Sequence, residues 1–565
     1  MNGNQSQSHI RKPPRQAPPA LRRRRMFVRI SFAVFALLVV IRIMYIQGKA
    51  PEYDEIWTMQ HYMDVPLPTV FSDVSAPNNH VLNTLGIRLF LSANLFRDEK
   101  IAMRLPALLG FCGLFLVLLQ ATLLLLKNNS VRGAVLAAVL LNGMVLHYAE
   151  TARGYSLQSF FVFGLFFALL CFHFRPPENR TFHAVMWLLC ALGACLSVSS
   201  GVLYVAILTG LWAVLYVPFR KGIGKIWREY RPLVFAGSLW ILFVLAWYGG
   251  NYSRFAEGRA MFGESFHTPA QYLSYCFEVA RETGLLWALP CLAVCGILLR
   301  AKPQWRICAL TGGAALLMLG SALFTKGGPP RVYLPLLAPV VFGIGAAADE
   351  LLAAGEKVRR IGPWLLLPVV AVCVLRSDRD RREAADPDMA VLFRAVSDRD
   401  PHVFVSYKYT DQYVVRVLFP DEAETDDQKR QIAPEMLLLL HENALSTVHV
   451  GASPDEELVP PGAVPVTVDH LVPQEKVLFW LYRLRPVRPG ETLDGKAVLC
   501  FSTVQVPDET KHWLIGRFGI VNSLLRNQDS SRICYAAAGN GLDADALLEL
   551  EHANPGILFF RVVSE

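Results

Sequence analysis

Long apolar runs broken by short polar pieces fill the first two-thirds of the chain and then stop. A helix that crosses a bilayer needs roughly 20 mostly apolar residues. Runs of that kind, some of them short, fall at 26–46, 101–126, 133–147, 155–174, 183–198, 202–218, 233–248, 285–299, 307–324, 332–352 and 363–375. The pattern predicts a polytopic α-helical membrane protein of about eleven transmembrane helices. The first run carries Arg29 and Arg42 and has no small-residue cleavage site, so it reads as a span and not as a signal peptide.

Beyond residue 376 the pattern is that of a water-facing domain. Apolar runs at 403–405, 414–419, 447–450, 477–482, 497–501, 514–521 and 557–563 read as strands. Helical stretches at 387–397, 434–443 and 544–553 lie between them, which predicts a layered α/β domain over 385–565. It contains neither a Gly-x-Gly-x-x-Gly nor a Walker motif, so no nucleotide is assigned to it. The expected organisation is a disordered basic tail (1–25), a transmembrane domain (26–376) with long external loops at 47–100 and 249–284, and the carboxy-terminal α/β domain.

Charge sets the orientation. Only 18% of residues are charged, against roughly a quarter in soluble domains, and the net charge of +8 is unevenly placed. Alternate loops are basic: Arg22 to Arg25, Lys127 and Arg132, Arg175 and Arg180, Arg220 to Arg231, Arg300 to Arg306, and Lys357 to Arg360. The loops between them are poorer in Lys and Arg. The positive-inside rule then puts the amino terminus in the cytoplasm and the carboxy-terminal domain outside. It also accounts for the net charge without nucleic acid as a partner; the basic tail is expected to meet anionic membrane lipids. Compact loops and the absence of a retention signal point to a bacterial inner membrane. Most of the 11 cysteines sit inside apolar runs as small hydrophobes, and none has zinc-site spacing. Cys500 and Cys534 are left as either a bridge or two separate thiols.

The external segments hold the candidate chemistry. Asp54-Glu55 follows the first span by less than ten residues. A carboxylate pair at the membrane surface suits general-base work, and a solvated loop pair is the alternative. Asn78-Asn79-His80-Val81-Leu82-Asn83 follows in the same loop, before an amphipathic stretch at 84–96. Arg104, Arg153 and Arg331 stand at outer helix ends, against the positive-inside tendency. One explanation is a shared anionic headgroup or phosphate held by guanidinium forks; the other is snorkelling to ordinary lipid. The 249–284 loop mixes charges with aromatics, as a flap over a lipid-facing cavity or an interfacial loop would.

These segments resemble, in order along the chain, the motifs of the GT-C superfamily of polyprenyl-phosphate-sugar-dependent glycosyltransferases. That superfamily includes the protein O-mannosyltransferases and the aminoarabinose transferases of lipid A. Asp54-Glu55 is similar to its external Asp-Glu signature, and Asn79-His80-Val81-Leu82 to its Asn-His-Pro-Leu segment, with Val81 for proline. Arg104-Leu105-Pro106-Ala107-Leu108-Leu109-Gly110 matches the start of its second span. Ala152-Arg153-Gly154-Tyr155-Ser156-Leu157 resembles an Ala-Arg-Pro-Tyr-x-Leu element with Gly154 for proline. Pro330-Arg331-Val332-Tyr333-Leu334-Pro335 resembles a Pro-Arg-Tyr-x-x-Pro element with altered spacing.

The resemblance covers about residues 26–376. It implies a donor sugar on a polyprenyl phosphate and a glycan, lipid or protein acceptor whose hydroxyl attacks the anomeric carbon with inversion. Asp54 takes the acceptor proton in this scheme, and Glu55 positions the acceptor or Asp54. Donor-binding residues are His80, Arg104, Arg153, Tyr155, Lys326, Arg331 and Tyr333, with Arg331, Arg153 and Lys326 on the departing phosphate. No metal ligand is assigned, although some relatives use a divalent metal such as Mg or Mn. The competing readings are a lipid or sugar transporter (a flippase), a membrane assembly protein without catalysis, and transfer of a whole oligosaccharide or a phospholipid headgroup.

Overall fold

A computed structural model of the chain describes residues 19–48, 53–353 apart from 64, 75–78, 95, 97–98, 219–222, 257–265, 301 and 326, and, beyond 403, the strands and helix named below with the turn at 487–493. The chain divides into two compact units, one formed by 1–48 with 72–378 and the other by 49–71 with 379–565.

The first unit is helical. Its elements, with those of the 49–71 segment, are α1 (Pro19–Gly48), α2 (Tyr53–Tyr62), α3 (Leu67–Ser72), α4 (Val81–Ser92), α5 (Glu99–Leu125), α6 (Asn129–Leu140), α7 (Gly143–Ala149), α8 (Tyr155–Phe174), α9 (Arg180–Ser197), α10 (Gly201–Tyr216) and α11 (Ile223–Val244). There follow α12 (Pro269–Thr283), α13 (Leu285–Leu298), α14 (Trp305–Thr325), a 3-10 turn Pro330–Leu336 and α15 (Leu337–Ala353). Among the described residues seven helices are long and apolar enough to cross a membrane, or up to nine if each of two bent pairs is one span. Every expected span up to residue 352 coincides with one of these helices or pairs, or with the 16-residue α10. The expected span at 363–375 lies outside the described residues.

α8 is the central helix, packed against α5, α9 and α10. Apolar residues dominate every face of it, as in a helix surrounded by others, and its buried polar residues, Ser156, Gln158 and Ser159, lie in its first turns. α1 and α11 instead keep large apolar side chains exposed, among them Leu37, Met44, Phe235 and Leu242. In a bilayer such a surface is solvated by lipid tails.

Two spans are broken, and each break has a local cause. α6 and α7 meet at 60°, where the Asn142 side chain accepts the Met144 and Val145 amides and so starts a new helix. α12 and α13 meet at 94°. Thr268 and Gln271 form a capping box at the start of α12, and Gly284 ends it with φ +81°, a conformation that suits glycine. The two breaks meet each other, since the Asn142 amide lies 3.4 Å from the Thr283 carbonyl. Backbone freed from a helix at membrane depth is tolerated where protein groups satisfy it in this way.

The second unit carries an eight-stranded mixed sheet in the order β1-β2-β4-β8-β5-β7-β6, with β3 also on β4. The strands are β1 (Phe404–Ser406), β2 (Met436–His441), β3 (Val464–Asp469), β4 (Lys476–Pro486), β5 (Ala497–Ser502), β6 (Val521–Ser523), β7 (Tyr535–Ala538) and β8 (Ile557–Val562), with α16 (Ala544–Ala553) before the last. The long β4 pairs with β2 along one edge and shares the other between β3 and β8. One expectation is corrected here: 434–443 is not a helix, because Met436–His441 forms β2, parallel to β1 and antiparallel to β4. A short leucine run without polar alternation fits either element, and its place between two strands decides. Glu491 accepts from both Arg485 and Arg561, which ties the turn after β4 to β8. Cys534 and the expected strands at 414–419 and 447–450 lie outside the described residues.

Candidate functional site

Three of the sequence segments converge in the first unit. His80 immediately precedes α4, Arg153 and Gly154 precede α8, and Arg331 lies on the 3-10 turn before α15. Among the described residues no side chain caps the first amides of α4 or α8. Two uncapped helix N-termini thus meet, each carrying partial positive charge.

Tyr155 links the arginines. Its hydroxyl lies 3.2 Å from Arg331 Nε, which donates to it. The Arg153 guanidinium sits 5.8 Å from the centre of the same ring, within cation–π range. His80 meets this ring edge-on at 5.0 Å, and Tyr148 packs against it at 4.8 Å. His80, Arg153 and Tyr155 are buried, and Arg331 is partly exposed.

His80 has a fixed tautomer. Its Nδ1 is 3.0 Å from the Ser197 carbonyl at the end of α9. A carbonyl oxygen only accepts, so the proton is on Nδ1, and Nε2 of the neutral ring presents a lone pair. Burial, reinforced by the nearby Arg153 and Arg331 charges, holds the imidazole well below its ordinary 6.5, and the Ser197 bond opposes this only in part. His80 is therefore neutral at physiological pH.

The turn between α7 and α8 is pinned at two points. Asn83 of α4 donates to the Ala152 carbonyl at 2.9 Å. Glu150 forms a buried ion pair with Arg42 of α1, Nη1 to Oε1 2.5 Å. A cavity of about 30 Å³ lies beside His80, lined also by Asn79, Cys195, Ser199, Trp247 and Phe255. Trp247 belongs to a π-helical turn, Leu245–Gly249, that continues α11. Arg254 just beyond it donates to the Ser72 carbonyl at 2.6 Å, so this part of the 249–284 loop reaches the segment that leads to His80.

His80, Arg153, Tyr155 and Arg331 are thus brought together. Arg104 is buried on α5 and donates to the Ile46 carbonyl at 3.1 Å. Tyr333 is buried with its hydroxyl 2.8 Å from that of Tyr275 on α12. Asp54 and Glu55 occupy the first turn of α2 in the second unit, where Glu55 is buried. Lys326 lies outside the described residues. Among the described residues no three His, Cys, Asp or Glu side chains group as a metal site.

The reading of the sequence missed Glu150 as a partner of Arg42, and the signal was present. A charge within an apolar span asks for a partner, and Glu150 is a carboxylate at the end of a nearby span. Ser197 and Tyr275 carried no such signal, because a backbone carbonyl and a single tyrosine look the same whether or not they serve a site.

Comparisons with known proteins add the following. No family model and no curated protein matches the chain. Among solved structures it is similar to ArnT from Cupriavidus metallidurans in the apo state, with 13% identity and a TM-score of 0.46 over 80% of this chain and 97% of that one. A second ArnT structure, bound to undecaprenyl phosphate, gives 12% identity and a TM-score of 0.45 over the same shares. The arabinofuranosyltransferase AftD from Mycobacteria is similar at 14% identity and a TM-score of 0.38, over 85% of this chain and 41% of that one.

Proposed function

We propose that the protein is an integral membrane glycosyltransferase that moves a sugar from a polyprenyl-phosphate donor to an acceptor hydroxyl at the extracytoplasmic face. The observation that carries this reading is the convergence of Arg153, Tyr155 and Arg331 from two distant segments around one tyrosine ring, at two uncapped helix N-termini. Such a concentration of positive charge suits a phosphate. Arg331 and Arg153 stabilise the lipid phosphate as it departs, where negative charge develops. By the sequence resemblance alone, Lys326 is assigned to the same phosphate; Tyr333 and Arg104 support the donor pocket, and Asp54 takes the acceptor proton with inversion at the anomeric carbon, Glu55 positioning it or the acceptor. The roles of Asp54 and Glu55 rest on the sequence resemblance and on their place in the first turn of α2.

The face follows from charge. The 150–154 and 330–336 turns alternate with the basic loops and so fall outside by the positive-inside rule. The transporter reading has one observation in its favour, the two broken spans, since transporters build sites from such breaks. Here the Asn142 oxygen already caps α7 and its amide meets the Thr283 carbonyl. The break is closed on itself, which favours a structural role.

The test is consumption of labelled polyprenyl-phosphate sugars by the purified protein in lipid nanodiscs. It is run without and then with Mg or Mn and a cell-envelope acceptor extract. Release of the sugar from one donor supports the reading, and no release from any donor under any of these conditions ends it.

A further inference from the structure

His80 Nε2 is buried and has no hydrogen-bond partner among the described residues. Native structures rarely leave such an acceptor unmet, and each exception asks for a reason. The ring cannot turn to hide it, because Nδ1 is engaged by the Ser197 carbonyl at 3.0 Å and Gly154 is packed on the ring's base. A Cβ on residue 154 would come within 2.9 Å of His80 Cβ. The ring also does not escape by protonating. Burial first, and then the Arg153 and Arg331 charges, oppose a second proton.

A neutral acceptor set among guanidinium groups has a defined complement. It takes a ligand with an O–H donor close to an anionic group, and it rejects a second anion, whose lone pairs would face its own. Resting on the glycosyltransferase reading, we infer that His80 is a specificity-determining residue: its Nε2 accepts a hydrogen bond from a hydroxyl of the donor sugar, while the arginines hold the neighbouring phosphate. His80 thereby distinguishes the loaded donor, a sugar ester of the lipid phosphate, from the spent lipid phosphate, which has no sugar hydroxyl. That asymmetry favours release of the product lipid after transfer. The cavity beside His80, about 30 Å³, has neither Arg153 nor Arg331 in its lining and is large enough for a water but not for a sugar, so binding of the sugar requires a rearrangement of the residues around the imidazole.

The experiment compares two ligands on the full chain in nanodiscs: a polyprenyl phosphate, and the polyprenyl-phosphoryl hexose or pentose that wild type binds most tightly. His80→Asn keeps an amide able to donate to the Ser197 carbonyl and removes the Nε2 acceptor. His80→Gln places an amide oxygen near the Nε2 position. The expected result is that His80→Asn weakens the sugar-bearing lipid about 10-fold or more and leaves the bare phosphate lipid within about 2-fold, with His80→Gln in between. A site that hydrogen-bonds a substrate hydroxyl discriminates in this direction. Equal weakening of both lipids would mean that His80 serves the phosphate or only the packing. No weakening of either would mean that water alone meets Nε2. Both outcomes overturn the inference and leave the glycosyltransferase reading standing. If wild type binds neither lipid, that reading falls and the inference with it.

Discussion

Gly154 and His80 touch where no side chain fits between them: a Cβ on residue 154 would lie 2.9 Å from the His80 Cβ and 2.3 Å from the Ser197 carbonyl oxygen. The backbone conformation at 154 is an ordinary helical one, φ −73°, so it is space and not conformation that requires glycine. Gly154→Ala must push His80 or the end of α9 aside. Misplacing a reacting or binding group by about 1 Å costs roughly 10²-fold. The variant is expected to assemble as a monodisperse membrane protein and to consume donor about 10²-fold more slowly. Donor consumption beside size-exclusion behaviour checks this, and unchanged turnover would remove His80 from the site.

Arg331 donates through Nε to the Tyr155 hydroxyl, and on the proposed reading its charge faces the departing lipid phosphate. Arg331→Gln is expected to lower transfer by about 10²–10³-fold, the usual cost of removing a donor that faces developing negative charge. Tyr155→Phe removes only the hydroxyl and is expected to cost about 10-fold or less. Single-turnover rates at saturating donor rank the two, and the reverse ranking would place the chemistry elsewhere.

A pH effect follows from His80. Folded, the imidazole sits well below 6.5 through burial and the Arg153 and Arg331 charges; unfolded, it returns to about 6.5. Below that value the unfolded chain binds a proton that the folded chain does not, so stability rises with pH and is lost as pH falls. The loss begins near pH 6.5, continues down to the folded value and amounts to at most about 1.4 kcal/mol per pH unit. Thermal unfolding between about pH 5 and pH 7.5 is expected to show His80→Asn gaining on wild type as the pH drops. A gap independent of pH would mean that the folded ring titrates normally.

Arg42 and Glu150 form an ion pair with 8% and 1% side-chain exposure. Removing one member strands a buried charge and typically costs about 3–5 kcal/mol, while replacing both is often neutral. Arg42→Met and Glu150→Gln are each expected to lower the unfolding temperature sharply. The double variant is expected to recover most of the loss. Because the pair anchors the turn that carries Arg153, the single variants should also weaken binding of a polyprenyl phosphate. Additive losses in the double variant would show that the two residues act separately.

Much of this was legible in the sequence, for physical reasons that differ by element. In a mostly buried span such as α8 the few polar positions (Ser156, Gln158, Ser159 and His173) lie near the ends of a long apolar run, and its bounds, Tyr155–Phe174, coincide with the expected run. The breaks at Asn142 and Gly284 were not foreseen. A cap inside an apolar run takes one side chain and two amides, too little to change the run's hydropathy. The leucines of Met436–His441 fit helix and strand equally until neighbouring strands claim them. Among the candidate site residues, Arg153 and Arg331 stood out as cations at outer helix ends, whereas His80 and Tyr155 were named through the family resemblance. Their arrangement could not be read, because the Ser197 carbonyl that fixes the His80 tautomer leaves no mark in a sequence. Nor could the division of the chain, in which 49–71, with Asp54 and Glu55, belongs to the second unit.

The most direct test of the central claim separates donor binding from donor consumption in one variant. Wild type and Asp54→Asn, both purified into nanodiscs, are given the same labelled polyprenyl-phosphoryl sugar, and bound lipid and released sugar are followed together. The account predicts that Asp54→Asn binds the donor within about 2-fold of wild type and transfers its sugar to acceptor roughly 10²–10⁴-fold more slowly, the range for loss of a general base. Transfer by Asp54→Asn at the wild-type rate, or a wild type that binds the lipid and never releases its sugar, would contradict it.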